Sequence, residues 1–276
     1  MRGWEQAGME HTGGKPDSRE QIDTWTEMDV VDDLEGEPAY MRLQGPNQFF
    51  SDDVLYQYKS LTLEWHQKCS KVADALTSVL SLALGLPEGC IGEAMGDSLQ
   101  RQSLIKYIRY PPTPEGGQGV GMHQDSAFLT LLMPGEEGGL ECLLPNGELL
   151  PVTRRKGTFV VNLGEALQQM SGNYFIATPH RVIAKSERTS VGFFFGPSLR
   201  SKLRPLPLDS SYARAVRESH RHRTSGLMPT REELEGGVEG SLEGQSRHET
   251  YGNLLWKYFG RAHPEYMRAH YPDLVT

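Results

Sequence analysis

The stretch SLIKYIRY, residues 103–110, alternates with a period of two, which is the period of a β-strand. Further strand-like runs follow at short intervals and are separated by Gly and Pro clusters. These runs are Phe128–Met133, Leu140–Leu144, Glu148–Val152, Thr158–Leu163, Tyr174–Thr178 and Ser190–Phe195. Many short strands with this spacing are typical of a sandwich or barrel. A parallel sheet would need helical crossovers, and the gaps are too short for them.

A long amphipathic helix is predicted before these strands. Ser51 or Asp52 can cap its start, and Gly85 followed by Leu86-Pro87 marks its end. Apolar positions recur in steps of three or four, so a helix of about thirty residues should turn one stripe toward a core. The predicted inward positions are Val54, Tyr58, Leu61, Trp65, Cys69, Val72, Leu76, Val79 and Ala83, and the predicted outward positions include Gln57, Glu64 and Lys71. A short second helix is expected within residues 89–100.

Composition and charge exclude several classes of function. The 276 residues include 28 Lys and Arg against 36 Asp and Glu, a formal net charge of −8. This balance argues against nucleic-acid or anionic-membrane partners, which need a basic face. No apolar run approaches the roughly 18 residues that cross a bilayer. The three cysteines, Cys69, Cys90 and Cys142, suit neither a disulfide framework nor a CxxC metal site, so a cytoplasmic location is expected. The oligomeric state is left open.

The segment GMHQDS, residues 121–126, carries the most specific chemistry. Side chains two residues apart in an extended strand point to the same side, so His123 and Asp125 should converge. With His180 as a third ligand they would form the 2-His-1-carboxylate face of non-haem Fe(II) sites, which leaves room for a co-substrate and dioxygen. An HxD pair is also common by chance, and histidines often have ordinary structural roles.

Arg188 and Ser190 form a second constellation. By the same rule of two they share one face of an apolar strand, which we expect to lie next to the strand ending in His180. A planar guanidinium beside a hydroxyl can hold a carboxylate. The alternative is a surface arginine at a turn, although the apolar strand that it opens favours burial with a charged partner.

Taken in order, these motifs resemble the 2-oxoglutarate/Fe(II)-dependent oxygenases, and more narrowly their isopenicillin N synthase-like branch. The similarity covers roughly residues 50–200 and the C-terminal tail, which looks like that of fungal members. The motifs that carry it are Tyr110-Pro111-Pro112, His123-x-Asp125, Thr130-Leu131-Leu132, Gly138-Gly139-Leu140, Asn162-x-Gly164, His180-Arg181-Val182, Arg188-x-Ser190, Thr250-Tyr251-Gly252 and His270-Tyr271-Pro272-Asp273-Leu274.

The resemblance implies a fold that is mainly β with α. A double-stranded β-helix, or jelly-roll, core would be flanked by the long helix and by C-terminal helices. It also implies that His123, Asp125 and His180 bind the iron, with dioxygen as the oxidant.

For the co-substrate, the resemblance implies that Arg188 and Ser190 bind the distal carboxylate of 2-oxoglutarate. Tyr110 matches a tyrosine that reaches toward co-substrate or substrate, although a core aromatic fits equally well. Asn162 and Gly164 are interpreted as shaping a turn.

The sequence departs from the family pattern at three places. Ile108 replaces an asparagine that is frequent in plant members, and Glu165 replaces an aspartate. Residues 1–50 are predicted to contain neither strand nor helix, and only residues 17–20 resemble the end of the usual N-terminal region. An uncovered edge of the major sheet would follow from such a short N-terminal region.

Four segments are predicted on this basis. They are a loop-rich remnant of the N-terminal region at 1–50, a helical support at 51–102, the catalytic β core at 103–204, and a mobile loop with a C-terminal helical segment at 205–276.

The expected function is oxidation of an unactivated C–H bond of a small organic molecule, with 2-oxoglutarate converted to succinate. Hydroxylation, desaturation and ring closure stay open, and secondary metabolism is a possible setting. Two alternatives are kept. One is an isopenicillin N synthase-like Fe(II) oxidase without 2-oxoglutarate, and the other is a truncated, weakly active iron-binding protein.

Overall fold

A computed structural model describes residues 2–113, 117–218 and 249–274, and its secondary structure is mainly β with helices. The strands are β1 Gly3–Glu5, β2 His11–Thr12, β3 Lys15–Pro16, β4 Glu20–Trp25, β5 Arg101–Tyr110, β6 Gln118–His123, β7 Leu129–Met133, β8 Leu140–Leu143, β9 Leu149–Pro151, β10 Val160–Leu163, β11 His180–Ile183 and β12 Arg188–Ser198. The α-helices are α1 Tyr58–Ala83, α2 Cys90–Ala94, α3 Glu165–Met170, α4 Ser210–Glu218, α5 Tyr251–Ala262 and α6 Pro264–His270, and short 3-10 helices span Ala39–Leu43, Ser98–Gln100 and Pro272–Leu274.

Two antiparallel sheets form the core, which confirms the double-stranded β-helix. The larger sheet has the strand order β1-β4-β5-β12-β7-β10, and the smaller has β6-β11-β8-β9. Strand β12 lies between β5 and β7, and its Phe193 and Phe195 are fully buried. Strands β5 and β7 are largely buried, which accounts for their apolar sequences, whereas every residue of β9 is exposed.

Helix α1 packs on the larger sheet against β12 and β7, with a face that matches the predicted one only in part. Cys69 is buried as predicted, and Trp65 and Leu76 are half-buried against the core. The assignment to an inward stripe was wrong for the exposed positions Val54, Leu61, Val72, Val79 and Ala83. The buried positions of α1 are Thr62, Cys69, Ala73, Thr77 and Ser81. These side chains are small or hydroxylated, and they let the helix approach the sheet closely. Hydrophobicity alone could not identify that face.

The start of α1 also differs from the prediction. Ser51 and Asp52 do not cap it, because residues 51–56 form a separate turn and Gln57 has a φ of 56°, in the left-handed region. A non-glycine residue with that backbone conformation interrupts a right-handed helix. The helix therefore begins at Tyr58. The outward positions Gln57, Glu64 and Lys71 are exposed, as predicted.

Residues 1–50 contain strands, so the prediction of a segment without strand or helix was wrong. Strand β4 pairs antiparallel with β5 over its full length and covers the sheet edge that was expected to be open. Two inward side chains of β4, Gln21 and Asp23, are polar and buried in hydrogen bonds and ion pairs. An inward face made of polar residues shows no hydrophobic alternation, and the pattern analysis missed the strand for that reason.

The run Tyr174–Thr178 is not a strand, contrary to prediction. Side chains satisfy its backbone instead, since the Phe175 N–H donates to Ser171 Oγ at 3.1 Å and the Ala177 N–H donates to Gln168 Oε1 at 2.8 Å. His180 therefore begins β11 rather than following a strand.

The predicted division of the chain at residues 50, 102 and 204 stays a prediction. The loop expected after residue 205 falls largely on residues 219–248, which lie outside the described residues. Among the residues that are described, no helix has the length and hydropathy needed to cross a bilayer.

Candidate active site

Two imidazoles and one carboxylate meet at the end of the smaller sheet. Asp125 Oδ1 lies 3.7 Å from His123 Nε2 and 3.6 Å from His180 Nε2. The two imidazole ring centroids are 4.3 Å apart, and the three candidate ligand atoms all lie within 4.8 Å of one another. Asp125 and His180 are buried and His123 is half-buried. Three donors on one side of a common point are the arrangement of a facial triad.

Strand pairing places the two histidines side by side. β6 and β11 are antiparallel, and His123 and His180 are direct partners in their register. His123 Nδ1 donates to the Gly121 carbonyl at 2.8 Å, and His180 Nδ1 donates to the Thr178 carbonyl at 2.9 Å. A carbonyl can only accept, so each Nδ1 carries the proton. In this tautomer a neutral ring has its lone pair on Nε2, the nitrogen that faces Asp125.

Burial shapes the ionisation of this cluster. Burial and the neighbouring His180 together lower the pKa of His123 to about 4, against the opposing effect of Asp125. Burial alone would raise the pKa of Asp125, but the two imidazoles and a hydrogen bond from Asn162 outweigh it and hold that pKa below its usual value. At neutral pH the cluster therefore offers a neutral His123 imidazole and a carboxylate, the forms that bind a metal.

The turn that carries Asp125 is held by residues distant in sequence. Asn162 Nδ2 donates to Asp125 Oδ2 at 3.2 Å, which leaves Oδ1 directed at the histidines. The Glu165 N–H donates to the Asp125 carbonyl at 2.8 Å. At Gly164 any Cβ would overlap the Ala127 carbonyl oxygen, so only glycine lets strand β10 pass this turn. The Asn162-x-Gly164 motif supports the cluster as well as shaping a turn.

Arg188, Ser190 and Tyr110 lie together on the larger sheet. Arg188 is the direct partner of Tyr110 in the β12–β5 register, and its guanidinium carbon lies 4.7 Å from the Tyr110 ring centroid. Ser190 is two residues along the same strand, and all three side chains are buried. Arg188 and Ser190 were expected next to the strand of His180, and in the structure the two strands are consecutive in the chain but lie in different sheets. β12 belongs to the larger sheet and β11 to the smaller one.

The Arg188 guanidinium has unused hydrogen-bonding capacity. The residue is 3% exposed, and no described residue accepts a hydrogen bond from its Nε or Nη1. Burial lowers the pKa of Arg188, and Tyr110 and Glu137 partly offset this effect. A buried cation with unpaired donors is costly unless an anionic ligand completes it. The group therefore fits a carboxylate ligand.

A small apolar cluster connects the two sheets beside these groups. Its members are Ile108, Tyr110, Val120, Leu140, Val182 and Ala184. The Tyr110 ring also packs so closely on Gly119 of β6 that a Cβ there would come within 3.1 Å of it.

Pattern analysis missed the residues that hold this site from outside. Gln124 donates to the Ala177 carbonyl, which fixes the loop before His180 to the turn between His123 and Asp125. Asp17 accepts a hydrogen bond from the backbone N–H of Gly121 at 3.2 Å. Neither residue lies in a periodic pattern. The available signal for Asp17 was the resemblance of residues 17–20 to the family, and Gln124 lies within the GMHQDS segment.

Comparison with known proteins agrees with this geometry. Residues 99–197 match the profile of the 2OG-Fe(II) oxygenase superfamily. The chain is 30% identical over 207 residues to a 2-oxoglutarate-Fe(II) type oxidoreductase of Aspergillus fumigatus, covering 70% of this chain and 59% of that protein. It is 31% identical over 158 residues to a 2-oxoglutarate-dependent dioxygenase of Gibberella zeae, covering 55% and 41%. The chain thus spans less than two thirds of the length of these relatives.

A solved structure shows the same fold. A full-length Neurospora crassa protein, crystallised in complex with alpha-KG, superposes with a TM-score of 0.67 at 21% identity, covering 93% of this chain and 72% of that one.

Proposed function

We propose that this chain, which belongs to the 2OG-Fe(II) oxygenase superfamily, is an Fe(II)- and 2-oxoglutarate-dependent dioxygenase that oxidises an unactivated C–H bond of a small organic molecule. The observation that carries the proposal is the pairing of a His-Asp-His donor set with a buried arginine whose donors lack acceptors among the described residues. Membership of the isopenicillin N synthase-like branch stays a prediction.

The metal would be held by His123, Asp125 and His180. Bound iron would supply the activation of dioxygen, and three protein ligands leave positions for a chelating co-substrate and for dioxygen. Hydrogen bonds within the chain orient these ligands in the absence of the metal. The backbone carbonyls that accept from both Nδ1 atoms fix the tautomers, and Asn162 orients the carboxylate. Removing such a hydrogen bond to a metal ligand typically lowers metal affinity about 10–100-fold.

The co-substrate would be held at its far end by Arg188 and Ser190. 2-Oxoglutarate has two carboxylates, of which one adjoins the chelating keto group and the other lies at the opposite end. A guanidinium can form a bidentate pair with that distal carboxylate, and the Ser190 hydroxyl can add a third hydrogen bond. Tyr110 packs under the guanidinium and limits its movement.

The partner and the compartment follow as finer proposals. A site enclosed between two sheets suits a small organic substrate, and a net charge of −8 disfavours nucleic acid and anionic membrane. Cys69, Cys90 and Cys142 are all free thiols, which suits a reducing, cytoplasmic compartment. The fungal relatives carry names of 2-oxoglutarate-dependent enzymes, and a role in fungal secondary metabolism is consistent with them.

An anaerobic reconstitution tests the proposal. Fe(II) and 2-oxoglutarate are added to the protein, and visible absorption is followed for the weak charge-transfer band of the chelate. The wild type should develop the band, and air with a library of small metabolites should then yield succinate. His180→Ala should show no band. Oxygen consumption without succinate would instead indicate an oxidase that does not use 2-oxoglutarate. Absence of both would indicate an iron-binding protein at most.

A further inference from the structure

The first metal-type ligand, His123, is connected to the N-terminal segment through one buried carboxylate, Asp17. Asp17 is 0% exposed, and its Oδ1 accepts from the Gly121 N–H at 3.2 Å and from Gln118 Nε2 at 2.9 Å. The Gly121 carbonyl in turn accepts from His123 Nδ1 at 2.8 Å. Asp17 thus accepts from the N–H of Gly121, and His123 donates to the carbonyl of the same residue.

The backbone freedom of Gly121 makes its hydrogen bond to Asp17 relevant to the orientation of His123. Glycine has the largest backbone freedom of any residue, so the peptide plane that accepts from His123 is not fixed by local sterics. Space at this position is nevertheless tight, because a Cβ on Gly121 would lie 2.9 Å from Thr12 Cγ2 and 3.0 Å from the Gln118 amide. The position therefore excludes a larger residue, and the hydrogen bond that Gly121 donates to Asp17 restrains this flexible residue from outside strand β6.

The other oxygen of Asp17 is tied to a buried charge network, defined as Glu5, Glu10, Asp17, Arg19, Asp23, Lys106 and His263. Thr12 Oγ1 donates to Asp17 Oδ2 at 2.8 Å, and Arg19 Nη2 lies 3.3 Å from the same oxygen. Arg19 also pairs with Glu10 at 2.9 Å, and Glu10 pairs with Lys106 of β5 at 3.1 Å. The carboxylate is therefore held by a rigid surround rather than by one flexible partner.

We infer that Asp17 is a positioning residue that orients His123 through Gly121. The inference rests on the proposed metal centre and extends it to the N-terminal segment. His180 Nδ1 likewise donates to the carbonyl two residues before it, that of Thr178, whereas the hydrogen bonds of Asp17 reach Gly121 and Gln118 of β6. Loss of Asp17 should thus affect one imidazole while leaving the other ligands and the Arg188 region in place.

The test measures Co(II) binding, because Co(II) reports its ligand geometry through ligand-field absorption bands. Asp17→Ala should weaken Co(II) binding roughly 10–100-fold and shift the bands, as is typical when a hydrogen-bonded support of a ligand is removed. Asp17→Asn should recover most of the affinity and the wild-type bands, because its side-chain oxygen still accepts from the Gly121 N–H.

Asp23→Ala is the matched control. Asp23 is a buried carboxylate of the same charge network, 3% exposed and 3.0 Å from Lys106 Nζ, and it lies on β4 away from β6. It should lower the unfolding temperature as Asp17→Ala does, yet leave Co(II) affinity and bands unchanged. Equal loss of Co(II) affinity in both variants would overturn the inference, as would wild-type affinity and bands in Asp17→Ala.

Two further measurements keep the result interpretable. If Asp17→Ala does not fold, Thr12→Val removes one hydrogen bond from the carboxylate and should weaken Co(II) binding roughly three- to tenfold. Unchanged binding in that variant would then overturn the inference. A wild-type protein that binds no Co(II) would reject the proposed metal centre itself, which separates that failure from a failure of the positioning role.

Discussion

Replacing Arg188 by methionine should stabilise the free protein while weakening co-substrate binding. The side chain is 3% exposed, and its Nε and Nη1 have no acceptor among the described residues. Each unsatisfied buried donor costs about 1–3 kcal/mol, so removing two should return about 2–6 kcal/mol. The lost contact with the Tyr110 ring offsets about 0.5–2 kcal/mol of this gain. Methionine fills a similar apolar volume. The difference between these ranges is about 0–5.5 kcal/mol, so the free energy of unfolding should rise or at least not fall.

The same change should reduce 2-oxoglutarate affinity. A distal carboxylate facing methionine would be desolvated and unpaired, which costs about 2–5 kcal/mol. Arg188→Lys should not restore binding, since an ammonium cannot form the bidentate fork. Ser190→Ala should cost less, about 1–3 kcal/mol, because it removes one neutral donor.

Urea denaturation of the metal-free protein measures the first effect, and calorimetric titration of 2-oxoglutarate into the Mn(II)-loaded protein measures the second. Arg109→Met is the control, because Arg109 lies on β5 at the surface and pairs with Glu20 and Glu187. It should leave both stability and affinity nearly unchanged, because solvent screens these exposed ion pairs. A destabilised Arg188→Met would show that the guanidinium has a structural partner. Unchanged affinity would place the distal carboxylate elsewhere.

Three other predictions follow from the site and the packing. His180→Ala should keep the fold, as judged by circular dichroism, and lose nearly all bound metal in elemental analysis. Ala73→Leu should cost about 1–3 kcal/mol in urea titrations, because Ala73 is a fully buried residue of α1. Val79→Ala on the same helix should be near neutral, because Val79 is 59% exposed. In the metal-free protein the pKa of His123 is about 4, so the unfolded state binds more protons between pH 6.5 and 4. The free energy of unfolding should therefore fall by about 3 kcal/mol as the pH decreases through that window, and His123→Gln should remove this slope.

The core strands could be predicted from the sequence because burial and period agree in them. Strand β5 was expected at 103–110 and spans Arg101–Tyr110, and β7 was expected at 128–133 and spans Leu129–Met133. Their side chains pack on both faces, so apolar residues mark them clearly. Strand β6 of the smaller sheet, which contains two glycines, was not delimited because it has few apolar side chains to form a pattern.

Helix α1 and the first fifty residues show the opposite case. Pattern analysis assumes that buried faces are apolar, but α1 buries Thr62, Thr77 and Ser81 against the sheet. Strand β4 buries Asp23 beside Lys106. Buried polar groups are stable when their hydrogen bonds are satisfied within the fold. A partner that lies far away in sequence leaves no local trace, so neither feature could be predicted from periodicity.

The residues of the site show the same contrast between local sequence patterns and contacts between distant segments. The HxD spacing predicted that His123 and Asp125 converge, which they do, although Asp125 lies in the turn after β6 and not in a strand. Arg188 and Ser190 share a face of β12, as the alternation of a strand predicts. What joins these pairs is tertiary. His180 reaches His123 through the pairing of β11 with β6. The support from Asn162 and Asp17 depends on how distant segments pack, and only coordinates show it.

The two halves of the site lie on different sheets, and this has an energetic consequence. The donor set belongs to the smaller sheet and the turn after it, whereas Arg188 and Ser190 belong to the larger sheet. A dicarboxylate bound at both ends would therefore connect the sheets across the apolar cluster of Val120, Val182 and their neighbours. A ligand that binds only the folded state stabilises it by about 2.7 kcal/mol at a concentration one hundred times its Kd. On the proposed function, a change that moves the two sheets relative to each other in the folded state should weaken 2-oxoglutarate binding even when it touches neither end of the ligand. A change that lowers only the free energy of unfolding should leave the affinity of the folded protein unchanged, because apparent affinity falls only with the fraction of binding-competent protein. Co-substrate affinity would then depend on how the two sheets pack as well as on the residues that contact the ligand.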